Sequence, residues 1–532
     1  MFSVNRRHLA LIAELYIVIC RFVDVGGHAQ GNMVMAGQRA MKDAVREQAN
    51  YPQLIQGGMG VAVSSWRLAR AVGCQGQLGV VSGTALDTVL VRRLELGDPD
   101  GELKLAFDEF PFPKMAERVW DKYFIDGGKD ADAPFSPVMA LTERPKREHV
   151  ERVVLANFVE VFLAKRGHRG PIGINLLEKI QTPTLASLYG AMLADVDYVL
   201  MGAGIPRAIP GVLDRFSDGE SAELPLLVEG AEAGEHHCVA FSPEEFTEGE
   251  VPWLRRPRFL AIVSSGTLAT MLARKSNGRV DGFIVEGHSA GGHNAPPRGG
   301  LKLDPNGEPI YGPRDEPELA TFRELGLPFW LAGTYGSAEH LNAALKSGAA
   351  GIQVGTAFAF CEESGIEPEL KRRVIALSVA GQTDVRTDPA ASPTGFPFKV
   401  LALSGSLSEQ EVAEARTRRC DLGYLRQAYR RPDGRIGWRC PGEPVEQYVR
   451  KGGQLTDTVG RKCICNGLMS TVDLAQCHAG ELEPPIITCG NDVANIWRFL
   501  PTEKASSYSA QDVIARLLNS PIEVQAPLAS AR

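Results

Sequence analysis

Residues 282–293 read GFIVEGHSAGGH, and this segment decides how the rest of the chain is interpreted. The apolar run at 283–285 is typical of a short strand, and the small residues after it lead to His293. Glycine lets a backbone approach a ligand closely because it has no Cβ. A histidine just beyond a strand end can exchange a proton near neutral pH. The segment predicts a functional loop or, as the simpler alternative, a glycine turn with a surface histidine.

Short apolar runs that end in turn residues recur along the chain. Together with 283–285 they occupy residues 54–60, 77–83, 171–175, 198–202, 259–264, 328–333 and 351–356. Such runs are typical of parallel strands that are buried on both faces. Helical patterns over 66–72, 185–194, 268–274 and 338–346 separate several of them. Eight strands alternating with helices predict an α/β fold, a (β/α)8 TIM barrel, whose functional residues lie at the C-terminal ends of the strands.

The order of these motifs resembles that of the nitronate monooxygenase (2-nitropropane dioxygenase-like) family of FMN-dependent TIM barrels. The matching segments are IQGGMG at 55–60, GINL at 173–176, EGHSAGGH at 286–293, LAG at 331–333 and QVGT at 353–356. The resemblance spans residues 52–364 and all eight predicted strands. Flavin-dependent enoyl reductases of fatty-acid and polyunsaturated-fatty-acid synthesis share much of this pattern, so the resemblance implies fold and cofactor more firmly than reaction.

The resemblance also implies which residues bind FMN. It assigns this role to Gly58, Met59, Gly60, Asn175, Glu286, Gly291, Gly333, Gln353, Val354, Gly355 and Thr356. Backbone N–H groups at Gly333 and at Gly355 and Thr356 are expected to bind the phosphate, as loops after the last two barrel strands often do. Two positions depart from the family pattern, because Glu286 replaces a frequent Gln and Gly58 replaces a Pro.

His293 matches the catalytic histidine of the family. A neutral imidazole can remove the α-proton of a nitroalkane. The resemblance implies that the resulting nitronate then reduces FMN, that dioxygen reoxidises the flavin, and that a carbonyl compound and nitrite are the products. His288 lies outside the AGGH match and is expected to pack or to support the site. The alternatives are an NAD(P)H-dependent enoyl reductase, in which His293 lies near the thioester carbonyl, and a flavin-binding scaffold without chemistry of its own.

The length of 532 residues exceeds one barrel, which needs about 250. We therefore predict a barrel domain over 51–365 with insertions at 84–170, 205–257 and 294–327, followed by a C-terminal extension over 366–532. The second insertion is expected to contain a hairpin with residues 226–228 and 238–241 as its arms. The third leaves directly from a strand C-terminus and is expected to cover the substrate.

Composition agrees with a soluble enzyme, which we expect to be cytoplasmic, and the resemblance implies a small-molecule substrate and dioxygen as its partners. The net charge of −7 argues against a general nucleic-acid binder, which would be basic. No apolar run reaches the roughly 20 residues of a membrane span. Residues 1–50 form an N-terminal extension, either an extra helix or sequence upstream of a start at Met33 or Met35, and a signal peptide is the less favoured alternative. A homo-oligomer remains open.

The C-terminal extension carries most of the cysteines. Six of the ten lie there: Cys420, Cys440, Cys463, Cys465, Cys477 and Cys489. Residues 463–465 read Cys-Ile-Cys, which is not a CxxC pair, and no CxxC spacing repeats. Zinc and iron–sulfur sites are therefore less expected than reduced structural thiols, the usual state in the cytoplasm, and we predict no metal. The extension is expected to wrap the barrel or to form an oligomer contact.

Overall fold

Each of the eight apolar runs forms a strand in the computed structural model, which describes residues 51–519. The strands are β1 Leu54–Gln56, β2 Gly79–Ser82, β3 Ile172–Leu177, β4 Tyr198–Gly202, β5 Arg258–Val263, β6 Gly282–Glu286, β7 Phe329–Ala332 and β8 Gly351–Val354. The expectations for residues 1–50 lie outside the described residues. From Pro52 onward the described chain forms one compact unit.

These strands form one parallel sheet in the order β1-β8-β7-β6-β5-β4-β3-β2. Its two ends meet, because the Gln56 N–H donates to the Leu78 carbonyl at 2.9 Å and the Leu78 N–H donates to the Leu54 carbonyl at 3.1 Å. Leu78 directly precedes β2, so the sheet closes on itself. The predicted (β/α)8 barrel is confirmed.

The strands separate two apolar layers because successive side chains point to opposite faces. The inner layer fills the barrel with Ile55, Leu78, Val80, Tyr198, Leu200, Leu260, Ile284, Trp330 and Ala332. The alternate residues, such as Phe283 and Val285, belong to the larger cluster between strands and helices. The indole N–H of Trp330 donates to the carbonyl of Pro52 at 2.8 Å, which holds the chain entering β1.

Helices follow the strands around the outside of the barrel. They span Trp66–Cys74, Leu86–Glu95, Arg147–Lys165, Thr184–Leu193, Ile209–Ser217, Gly266–Lys275, Leu319–Glu324 and Ala338–Lys346, with Thr356–Ala359 and Pro368–Val379 after β8. The insertion after β2 adds Glu102–Asp108 and Pro113–Tyr123. These two helices and the helix Thr184–Leu193 contact the helix Arg147–Lys165, so that helix is buried over most of its length.

The hairpin in the insertion after β4 has a different first arm from the predicted one. Residues Cys238–Phe241 pair antiparallel with Ala222–Pro225 and not with 226–228. Ala222–Pro225 alternates buried and exposed side chains, as a half-buried strand should. The prediction that the apolar run 226–228 forms the first arm was wrong. Leu227 is 72% exposed, and Val228–Glu229 pairs with Gln427–Arg430 of the extension.

Beyond residue 366 the chain packs across the face of the barrel where the strands end. It contains the antiparallel pairs Val385–Asp388 with Phe398–Leu401, Gln427–Arg430 with Ile436–Arg439, and Cys477–His478 with Glu481–Leu482. Its helices are Gln410–Ala415, Val445–Arg450, Ile464–Thr471 and Ala510–Leu518, with 3-10 turns at Leu455–Thr458 and Asn491–Phe499. None of the helices between residues 51 and 519 has the length and hydropathy of a membrane span.

Candidate active site

A cavity of about 220 Å³ lies at the C-terminal ends of the barrel strands. All twelve residues that the sequence assigned to a site line it: Gly58, Met59, Gly60, Asn175, Glu286, Gly291, His293, Gly333, Gln353, Val354, Gly355 and Thr356. They come from five different strand ends, which the closed barrel brings together. The structure therefore assembles the predicted set in one place, and their roles remain a prediction.

One wall of the cavity is formed by the loop after β1 and by Asn175. The Asn175 side-chain amide donates to the Gly58 carbonyl at 3.0 Å. A Cβ at Gly58 would lie only 2.3 Å from the Cβ of Asn175, so this contact requires glycine. The Oδ1 atom of Asn175 and the Oε1 atom of Gln353 are both buried without a hydrogen-bond partner. Each is an acceptor available to a ligand in the cavity.

Two buried polar residues that the sequence did not single out hold the β1 loop in place. Ser64 accepts the Met59 N–H at 2.9 Å and donates to the Gly57 carbonyl at 2.9 Å. The Gln56 side chain donates to the same hydroxyl at 2.8 Å and accepts the Val80 N–H at 3.0 Å. The sequence offered one indication of this arrangement: Gln56 stands at the end of an apolar strand, and a buried amide needs hydrogen-bond partners nearby.

The loops after β7 and β8 form the opposite wall. Gly333 and Thr334 have φ angles of +92° and +54°. A positive φ is rare for a β-branched residue and marks local strain that the surroundings must hold. The Thr334 hydroxyl lies 3.1 Å from the Ser289 hydroxyl of the histidine segment. This wall is the predicted phosphate loop.

His293 is fixed by the extension. Its Nε2 atom lies 2.7 Å from the Ser392 hydroxyl, and its ring packs edge-on against Phe398 at 4.8 Å between centroids. Burial, together with the charge of the nearby Lys179, lowers the pKa of His293 to about 4. The imidazole is therefore neutral at physiological pH, which is the form that can accept a proton.

Glu286 stands at the end of β6, between this cavity and a second one. Burial raises the pKa of its carboxyl to about 7, so near neutral pH the group exists in both protonation states. A protonated carboxylic acid can donate a hydrogen bond as the amide of a Gln does. The departure from the family pattern at this position therefore leaves a possible donor in the cavity wall.

The second cavity, of about 250 Å³, shares Glu286 and His293 with the first. Its other side consists of residues from the insertion after β6, among them Tyr311, Arg298 and Asp315. His288 lies here, stacked on the ring of Tyr311 at 4.3 Å between centroids. Its Nδ1 atom is 3.9 Å from the Glu316 carboxylate.

The C-terminal extension supplies a large part of the first cavity, which the sequence did not predict. Its lining residues are Phe398, Leu422, Tyr424, Leu425, Ile464, Cys465, Leu468, Thr488, Cys489, Gly490 and Asp492. The Thr488 hydroxyl accepts the Gly292 N–H at 2.8 Å, and the Gly490 N–H donates to the Thr356 hydroxyl at 2.9 Å. The backbone of Cys489 passes so close to Gly291 that a Cβ there would lie 2.7 Å from its carbonyl carbon.

Asp492 brings a carboxyl to the loop after β7. A Cβ at Gly336 would lie 2.3 Å from its Oδ2 atom. Burial raises the pKa of Asp492, and Arg498 donates to both of its carboxylate oxygens at 2.9 and 2.8 Å. The guanidinium balances the charge, so the carboxylate does not oppose an anion bound in this wall.

Comparison with known proteins gives one family match. Residues 227–390 match the model of the nitronate monooxygenase family. The matched stretch contains Glu286, His293, Gly333 and the segment 353–356, whereas the β1 loop and Asn175 lie outside it. No curated protein matches the chain.

Solved structures with similar folds are distant. FabK from Thermotoga maritima shares 16% identity at a TM-score of 0.42, covering 88% of this chain and 92% of that one. Nitroalkane oxidase from Streptomyces ansochromogenes shares 15% at 0.40, covering 88% and 96%. The enoyl reductase domain of MlnA from Bacillus amyloliquefaciens shares 11% at 0.44, covering 90% and 96%. These values carry no argument about function.

The family match confirms the resemblance stated from the motifs over the half of the barrel that holds the histidine. Residues 227–390 of this chain thus carry a match to the nitronate monooxygenase family, and the chain is an oxidoreductase.

Proposed function

We propose that this chain binds FMN and oxidises alkyl nitronates and nitroalkanes with dioxygen, giving a carbonyl compound and nitrite. The observation that carries the proposal is His293, a neutral imidazole that lines two cavities and lies, like Glu286, within the family match. A neutral imidazole is the protonation state that removal of an α-proton requires. Glycine-rich loops on the other side of the first cavity provide a site for a flavin phosphate.

The residues of the first cavity fit FMN. Asn175 Oδ1 and Gln353 Oε1 are buried acceptors without partners, which is costly unless a ligand supplies a donor. A flavin ring offers such an N–H donor. Gly333, Gly355 and Thr356 would hold the phosphate through their backbone amides, while Met59 and Asn175 would border the ring. FMN, when bound, supplies the electron acceptor for the oxidation.

The chain's own residues handle the proton and the orientation of the substrate. His293 would take the α-proton of a nitroalkane, and the Ser392 hydroxyl and the Phe398 ring hold the imidazole in place for this step. A pre-formed nitronate has already lost that proton and needs only to be positioned. The second cavity, bounded by the insertion at 294–327, would hold the substrate beside His293 and exclude water.

The test is steady-state oxygen uptake with propionate 3-nitronate and with alkyl nitronates, beside an assay with NADPH and an enoyl thioester. Oxygen uptake with stoichiometric nitrite supports the proposal. Bleaching of the flavin by NADPH without oxygen, together with reduction of the thioester, would replace it with the enoyl reductase activity. A flavin-containing protein that is inactive in both assays would indicate a binding scaffold.

A further inference from the structure

Four cysteines of the extension converge beside the roof of the first cavity. Cys420, Cys440, Cys463 and Cys465 come from three separate segments, and all four are free thiols. In each of the six pairs the sulfurs are close enough for a charge on one to act on the other. Spacing along the chain could not show this, because only the last two cysteines are close in sequence.

Hydrogen bonds between neighbouring residues fasten the three segments together. The Asn466 side chain donates to the carboxylate of Asp421 at 2.8 Å, which joins the segment of Cys465 to that of Cys420. The Arg418 guanidinium donates to the Pro441 carbonyl at 3.3 Å, which joins Cys420 to the turn after Cys440. The same guanidinium reaches the Thr458 carbonyl at 3.0 Å.

Amide donors and cations lie near the sulfurs, beside the carboxylates of Asp421, Glu443 and Glu483. Backbone N–H groups of Gly442, Asn466 and Leu425 lie near the sulfurs of Cys440, Cys463 and Cys465, respectively. Arg416 lies near Cys463, and Arg426 and Lys451 lie near Cys420. Amide donors and cations of this kind stabilise metal-bound thiolates. Without a cation, burial raises the pKa of each of the four thiols and keeps them neutral, so a bound metal would have to drive off the protons.

The separation of the sulfurs distinguishes a cluster from a single ion. Zinc binds sulfur at about 2.3 Å, so two sulfurs on one zinc lie at most about 4.6 Å apart. Among residues 51–519, the group with three ligand atoms within 4.8 Å of one another is Asp421, His478 and Glu483, not the cysteines. The four sulfurs are therefore spread more widely than one zinc ion allows.

The neighbouring group of Asp421, His478 and Glu483 is already satisfied by protein partners. Arg416 donates to both carboxylate oxygens of Glu483, at 2.5 and 2.9 Å. His478 and Asn466 share the Oδ2 atom of Asp421. These contacts balance the charge of Glu483 and give both carboxylates hydrogen-bond partners without a metal.

We propose that Cys420, Cys440, Cys463 and Cys465 are the ligands of a [4Fe–4S] cluster, which four cysteine thiolates typically hold. Cys465 and its neighbour Ile464 line the first cavity, so the cluster binds the three segments together at the edge of that cavity. This assignment goes beyond the proposed function, and it replaces the expectation that these cysteines are reduced structural thiols.

The experiment is chemical analysis of the full chain purified without oxygen. We expect about four iron and four sulfide ions per chain and an electron paramagnetic resonance signal of a reduced cluster after addition of dithionite. C463S and C465S should lose the iron. C238S and C477S remove cysteines outside the group and should keep it. Absence of iron even after reconstitution with ferrous iron and sulfide, or full iron in C465S, would overturn the proposal, and one zinc ion per chain would replace it.

Alkylation of the unmodified protein gives a second readout in case the serine variants fail to fold. Cys420, Cys440, Cys463 and Cys465 should resist alkylation under native conditions and should become reactive when a chelator removes the iron. Alkylation that a chelator does not change would contradict the assignment. Iron content and FMN content are measured separately, so protein with FMN and no iron would refute this inference alone, and iron without FMN would refute only the proposed function.

Discussion

Substitution of His293 should distinguish removal of the α-proton from the later oxidation of the nitronate. If its imidazole removes the α-proton, H293N should reduce activity on neutral nitroalkanes by roughly 10²–10⁴-fold, the usual contribution of general base catalysis. Activity on pre-formed nitronates should fall much less, because that proton is already gone. Steady-state oxygen uptake with both substrate forms measures the difference. H288N is the control and should change both activities alike and weakly. Equal losses in H293N would show that the residue positions the substrate and does not act as a base.

Glu286 should make stability depend on pH. Burial raises the pKa of its carboxyl to about 7 from an ordinary value of 4.5. The native state therefore binds this proton more tightly than the unfolded chain, and its contribution to stability falls as pH rises from about 4.5 to about 7. The difference between the two pKa values limits this loss to at most about 3 kcal/mol. Urea unfolding of E286Q at pH 5 and pH 8 should show less pH dependence than the unmodified protein, and an unchanged difference would contradict the shift.

At the scale of single elements, the loop after β1 offers a matched pair of glycines. In G58A the new Cβ meets Asn175 at 2.3 Å, whereas in G57A the nearest atoms are those of Gln353 at 3.4 Å. Overpacking costs typically 1–3 kcal/mol, so G58A should lower the free energy of unfolding by about that amount and should lose FMN, while G57A should change both far less. Urea unfolding and the flavin content of the purified variants provide the test. Equal behaviour of the two variants would mean that the loop moves freely away from Asn175.

For the whole molecule, the prediction concerns the identity of the cofactor. Purified protein should be yellow and should release FMN, not FAD, on heating, because the motifs provide one phosphate site and no adenine site. Chromatography of the released flavin identifies it. Colourless protein that does not bind added FMN would remove the basis of the proposed function.

The barrel and half of the site could be predicted because their signals are local. A strand buried on both faces is a short apolar run, and the closed sheet brings its polar ends together. Asn175, His293 and Gln353 could therefore be placed together without knowing any contact. The prediction of the hairpin arm was wrong because the run 226–228, whose central Leu227 is exposed, is as apolar as a buried strand, and Val228 pairs with the extension.

The extension could not be placed in the same way. Leu422, Cys489 and Gly490 lie outside helices and strands, so no periodic pattern in the sequence shows that they face the barrel. The role predicted for Gly291 was incomplete, because its contact with the extension could not be predicted either. The resemblance implied that this glycine approaches FMN, but in the structure its missing Cβ also leaves room for the Cys489 backbone.

The position of the Cys489 backbone between Gly291 and Thr356 has a consequence for how the protein is made. A ribosome-bound chain that has emerged only as far as the helix Pro368–Val379 contains every barrel strand, yet one side of its cavity is open to solvent. The residues that complete the lining, from Phe398 to Asp492, are synthesised after the whole barrel. Binding of the proposed FMN should therefore follow synthesis of this segment, and a chain truncated before residue 490 should contain less flavin than the full chain when both are purified and analysed.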